Sequence, residues 1–195
     1  MLGRSQHRLF SKKNVSLNPQ VRNELNGDTL LIHAARNGLI DQVKFLLKKF
    51  KHDIDINATN LNNISAVAAA AAFGHLDIVD CLIQQGVNIK ERNEKMLSPL
   101  DLAAANGQLA MVQHLVPKHI KHSKDIYLAI RHALDGADEK MENQRIATAE
   151  FLLTYFVQHN GFKNITNTEL TELVADLANY PNIEISEAKN QHVRP

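Results

Sequence analysis

Three times along the chain a short run of apolar and small residues is closed by glycine. The runs are Thr29-Leu30-Leu31-Ile32-His33-Ala34-Ala35-Arg36-Asn37-Gly38, then Ser65-Ala66-Val67 through five alanines to Phe73-Gly74, then Ser98-Pro99-Leu100-Asp101-Leu102-Ala103-Ala104-Ala105-Asn106-Gly107. A second phrase follows each glycine: Gln42-Val43-Lys44-Phe45-Leu46-Leu47, Ile78-Val79-Asp80-Cys81-Leu82-Ile83 and Met111-Val112-Gln113-His114-Leu115-Val116. The apolar positions recur at helical spacing. Thr29, Ser65 and Ser98 stand where an N-cap hydroxyl belongs, and Pro99 sits at the first helical position, where its missing donor costs nothing. Glycine then stops the helix, and the second helix returns after a short connection. The pattern predicts a series of helical hairpins.

The glycines are 36 and 33 residues apart, so the hairpin is a repeat. Alanine clusters at 68–72 and 103–105 let backbones approach closely. One hairpin cannot bury both its faces, so hairpins must stack. No β-strand longer than a turn is expected in residues 26–117.

The unit resembles the ankyrin repeat. The second copy keeps Gly74-His75, Ile78-Val79 and Gly86; the third keeps Ser98-Pro99-Leu100 and Ala103-Ala104. Asp55-Ile56-Asn57-Ala58-Thr59-Asn60 resembles the family's turn between copies. The first copy departs at Leu30, Ile32 and Leu39, the second at Asn63 and the third at Met96. The resemblance covers roughly residues 26–117 and implies an all-α ankyrin-repeat solenoid of stacked helical hairpins with atypical capping helices. It also implies that His75 hydrogen-bonds within the turn between helices.

Residues 125–134 and 145–156 carry apolar positions at helical spacing and read as a degenerate fourth hairpin within 118–160. Its connection, 135–143, is long and acidic and shows no glycine stop. The third copy ends at Pro117-Lys118-His119. Thr166 and Glu169 form a capping box that opens a helix over 168–179, ended by Pro181, within a capping segment 161–183. Asn18-Pro19 predicts a short cap helix to Leu25 before the three repeats, in a unit spanning 18–117. Residues 1–17 and 184–195 read as flexible tails.

Composition narrows the function classes. In 195 residues, 44% are apolar and 22% charged, an ordinary globular balance. The net charge of +1 excludes a global field that would draw in nucleic acid or an anionic membrane. The longest apolar run, 66–73, is too short to cross a bilayer, and the first 15 residues lack a secretory apolar stretch. Five basic residues against Glu24 make residues 1–25 locally positive, which reads as a solvated tail.

A single cysteine, Cys81, permits neither an intrachain disulfide nor a cysteine-rich zinc site, and it suits a reducing, cytoplasmic setting. It shares a column with Phe45, His114 and Phe151 and reads as a packed, inert thiol. His119 and His122 want a third metal ligand, and the acidic run 135–139 lacks calcium-loop spacing, so no metal or cofactor is expected. No phosphate loop, dinucleotide fingerprint, zinc-protease or nucleophile-elbow motif occurs, so no enzyme is expected.

The resemblance implies a monomeric, non-catalytic module that binds a partner protein through its concave face and hairpin tips. Carried over residue by residue, the partner-binding positions are Asp28, Arg36 and Asn37; Thr59, Leu61, Asn62, Ile64 and Phe73; and Arg92, Glu94, Lys95, Leu97 and Asn106. Leu61, Ile64, Phe73 and Leu97 are apolar where the stack does not require it. The alternative is an enzyme or regulator whose active part lies in 118–195. Abundant asparagine, lysine and isoleucine with degenerate repeats also resemble ankyrin proteins of intracellular bacteria, some of which act as effectors inside a host cell.

Overall fold

The computed structural model describes residues 18–90, 92–93, 97–119, 122–135, 139–159, 165–181 and 183, excepting the side chains of 118, 119 and 139. Each repeat is a seven-residue first helix and a longer second helix. The pairs are α1 Leu30–Arg36 with α2 Ile40–Lys49, α3 Ala66–Ala72 with α4 Leu76–Gln84, and α5 Pro99–Ala105 with α6 Leu109–His119. Thr29, Ser65 and Ser98 accept the backbone N–H of Ile32, Ala68 and Asp101, so each first helix starts on the expected hydroxyl cap. Among the described residues the only bridges of β type are two isolated pairs, Arg22 with Thr29 and Thr59 with Ser65, at the bases of the hairpin tips.

The first helices α1, α3 and α5 pack tightly on one another, whereas the second helices α2 and α4 touch less. Side-chain size explains the difference. Ala34, Ala35, Ala69, Ala70, Ala71, Ala103 and Ala104 are fully buried between first helices. The second helices bury Leu46, Leu82 and Leu115, which hold their neighbours further off. A stack packed closer on one side curves toward that side, so the row of first helices lines the concave face.

The stop glycines also key one repeat into the next. Gly107 has a φ of 63°, and a Cβ there would meet the Gln144 side chain at 2.7 Å and the Arg145 backbone nitrogen at 3.0 Å. A Cβ on Gly38 would meet the His75 ring at 2.7 Å. The His75 side chain, expected to bond within its own turn, reaches instead to the preceding repeat. Its Nε2 donates to the Arg36 carbonyl at 3.1 Å, across the repeat boundary.

The fourth hairpin is α7 Ser123–Leu134 with α8 Glu142–Gln158, preceded by a single 3₁₀ turn Glu139–Met141. Gly136, which follows the Asp135 C-cap of α7, lies outside the described residues. Arg145, buried on α8, donates from Nη1 to the Ala133 and Leu134 carbonyls at 3.1 and 3.4 Å, and the Tyr180 hydroxyl donates to Leu134 at 2.7 Å. These donors satisfy carbonyls at the C-terminal end of α7 that have no partner within the helix.

Two boundaries differ from the sequence expectation. Residues 18–25 form turns, with no cap helix. Here the Asn18 side chain accepts the Gln20 N–H at 2.9 Å and the Asn23 side chain accepts the Leu25 N–H at 2.8 Å, which favours local turns over a helix. And α6 runs through Pro117 to His119, because a proline in the last turn forfeits a single backbone bond. The acidic run 136–138 lies outside the described residues.

The last helix, α9 Asn167–Leu177, caps the stack through Leu173, with its outer side solvated. Arg131 on α7 donates to Glu172 at 2.8 Å and Asp176 at 2.9 Å, and the Tyr127 hydroxyl donates to Glu172 at 3.2 Å. Burial pushes the Tyr127 phenol above its ordinary range. At the start of α9, the Thr166 backbone N–H and hydroxyl hold the Glu169 carboxyl below its ordinary range, aided by Lys124. A carboxyl depressed in the folded state stabilises above its unfolded pKa and loses that contribution as pH falls through its folded pKa. Acidification through the carboxylate range is expected to lower the amide protection factors of α9, taken relative to the intrinsic exchange rate at each pH, while those of α3 and α5 hold; protection factors that stay uniform at low pH would contradict this.

Candidate functional site

The concave face of the first two repeats gathers several of the expected residues around one ion pair. Asp28 stands just before the Thr29 cap. It is buried, and Arg36 at the far end of α1 reaches back to it, with Nε to Oδ2 at 3.1 Å and Nη2 to Oδ1 at 3.2 Å. Asn60 of the next tip donates to the same carboxylate at 2.8 Å, and Asn26 at 3.0 Å. The carboxylate thus has four donated hydrogen bonds, which offset its desolvation. The Arg36 side chain is 28% exposed, and its guanidinium lies 5.9 Å from the centroid of the Phe73 ring. Phe73, the C-cap of α3, is 52% exposed. A buried carboxylate therefore fixes a guanidinium, which in turn flanks an exposed aromatic ring.

The hairpin tips continue this surface. The Leu61 N–H donates to the Asn26 carbonyl at 3.0 Å, and Arg22 donates to the Thr59 and Gly27 carbonyls at 2.6 and 3.0 Å, tying tip to tip. Leu61 rests against Gly27 yet stays 69% exposed, and Leu25 is more exposed still. Asn63 adopts a φ of 53° where the first tip has Gly27, so asparagine supplies the left-handed residue.

Asn37 and Asn106 are exposed C-caps whose side-chain amides donate to His33 and Leu102 carbonyls. Asn62 is exposed and Thr59 half-buried. The surface expected at Asp28, Ile64, Leu97 and Arg92 is different in the structure. Asp28 is buried beneath Arg36, and Ile64 and Leu97 are half-buried. Arg92 donates to Asp101 at 2.7 Å and to Asp125 at 2.9 Å, joining the third and fourth hairpins. Glu94 and Lys95 lie outside the described residues.

The column of Cys81 is not core. Cys81 and Phe151 are half-buried and Phe45 exposed, while His114 Nε2 donates to Asp80 at 2.6 Å. That row skirts the outer edge of the second helices.

Sequence reasoning missed three tip asparagines. Asn60 Oδ1 accepts the N–H of Asn62 and Ile64, Asn93 Oδ1 that of Leu97, and Asn23 Oδ1 that of Leu25. Their signal was an asparagine five or six residues before each N-cap.

These features define a class, a curved solenoid of helical hairpins with a concave face and projecting tips. Residues 7–90 and 31–127 match the family described as ankyrin repeats (3 copies). The chain belongs to the ankyrin-repeat family. Such repeats are protein–protein interaction modules and are typically non-catalytic. Alpha-latrocrustotoxin-Lt1a of Latrodectus tredecimguttatus is 35% identical over 106 residues, covering 51% of this chain and 7% of the toxin. Alpha-latroinsectotoxin-Lt1a of the same spider is 30% identical over 114 residues, covering 57% of this chain and 8% of the toxin. Inversin of Danio rerio is 38% identical over 79 residues, covering 40% of this chain and 7% of that protein. The chain thus spans less than a tenth of each of these relatives.

Proposed function

We propose that the chain binds a partner protein through the concave face and tips of its first two repeats, with Phe73 and Leu61 as apolar anchors and Arg36 as the polar contact between them. The observation that carries the reading is Phe73 itself. The equivalent C-cap positions hold Asn37 and Asn106, which cap their own helices, whereas the Phe73 side chain is an exposed ring beside a fixed guanidinium. Aromatic and arginine side chains held rigid in this way are the usual anchors of protein interfaces. Arg36 pays little further ordering entropy on binding, because Asp28 already fixes it.

The test is affinity capture with the wild-type chain, identification of the retained protein by mass spectrometry, and calorimetry on variants. Phe73→Ala is expected to weaken binding about tenfold or more, within the range for interface anchors. Leu61→Ser is expected to weaken it less, and both variants should unfold at the wild-type urea midpoint. Normal binding by both, with loss on substitution of exposed α7–α9 residues, would move the site to the C-terminal helices.

A further inference from the structure

The charge of the chain is polarised in a way its near-zero total conceals. Residues 1–52 contain ten lysines and arginines and three carboxylates; residues 53–195 contain twelve and eighteen. Part of the positive end is gathered on the outer face of α2 and the turn after it. Lys44, Lys48, Lys49 and Lys51 are all exposed there; 44 and 48 share one side of α2, and 51 follows in the turn. Among the described residues none of the four has a carboxylate within ion-pair distance; Asp41 and Asp53 stand at the two ends of the stretch. Phe45 projects among them, 44% exposed, and Lys49 Nζ lies 5.3 Å from its ring centroid and 5.5 Å from that of Phe50.

We propose that this face of the first repeat docks on an anionic lipid surface. Three observations favour lipid. The cations are lysines, compact point charges suited to a diffuse negative surface, whereas protein interfaces are depleted of lysine and discrete phosphates favour the arginine fork. An exposed phenylalanine among lysines matches the side chains that seat a helix at the headgroup boundary. And the patch lies on the second-helix side, away from the concave face, where a flat surface can meet it. Among the described residues no helix is long and apolar enough to span a bilayer, so the contact is peripheral.

The experiment is co-sedimentation of the full chain with vesicles of phosphatidylcholine alone and of phosphatidylcholine mixed with phosphatidylserine. Binding to the mixed vesicles only, weakening as salt rises, is expected. Each lysine near such a surface contributes about fivefold in affinity, so Lys48→Ala with Lys49→Ala should weaken binding about 25-fold. Phe45→Ala should weaken it several-fold and keep the salt dependence. Phe73→Ala should bind vesicles as wild type does, which separates this surface from the concave one. Circular dichroism checks that the variants fold. Undiminished binding by the double lysine variant would overturn the proposal and point to the basic residues before Asn18. Binding to a DNA duplex, or self-association by sedimentation equilibrium, at concentrations where mixed vesicles capture nothing would also overturn it.

Discussion

Gly107→Val is expected to destabilise the stack by about 4 kcal/mol, the sum of backbone strain and overpacking. The residue sits at φ 63°, a region that a β-branched side chain enters only under strain. Its Cβ would also press on Gln144 and on the backbone nitrogen of Arg145, which cannot swing aside as a side-chain tip can. The damage therefore falls on the boundary between the third and fourth hairpins. Gly86→Val is the control. Its φ is 86°, but a Cβ there meets nothing within 4 Å, so only strain remains, about 2 kcal/mol. Urea unfolding of both variants measures the difference. Equal losses would show that the glycine acts within its own turn and does not key one repeat into the next.

Arg92→Ala is expected to cost about 2–3 kcal/mol, below the usual figure for a broken buried pair because Arg92 and Asp125 retain some exposure. Asp101 is fully buried at the third residue of α5, where its Oδ2 accepts the Ser98 N–H and hydroxyl as well as the Arg92 guanidinium. Removing the guanidinium leaves that carboxylate buried without its cation and releases Asp125 on α7. Arg92→Lys should recover part of the loss, since one ammonium replaces two separately directed nitrogens. A double-mutant cycle with Asp101→Ala separates the pair from the rest; coupling near zero, or an unchanged urea midpoint for Arg92→Ala, would contradict the assignment.

Much of the fold was legible because the repeat writes the same local physics three times. Hydroxyl caps at Thr29, Ser65 and Ser98 and stops at Gly38, Gly74 and Gly107 are decided by residues within a turn of each other. Helical periodicity placed α7 and α8 as well, since burial of one face needs no knowledge of the neighbour, and the Thr166–Glu169 capping box placed α9. The cap helix expected over 18–25 failed on equally local grounds: Asn18 and Asn23 side chains capture backbone N–H groups and make turns.

The candidate site was only half legible. The sequence by itself determined that Phe73 stands where the framework needs no aromatic, and that Leu61 lies at a tip. It could not show that Asp28 is buried under Arg36, or that Arg92 spans Asp101 and Asp125, because those partners lie 8, 9 and 33 residues away. The same holds for Cys81, whose column is apolar in sequence yet skirts the outer edge of the stack. Arg145 shows the point most sharply: a charged residue in an otherwise surface-like stretch becomes the buried cap of α7. Periodicity reports which side of a helix turns inward. Which charges lie under the next hairpin depends on how closely the hairpins stack, and only the tertiary structure decides that.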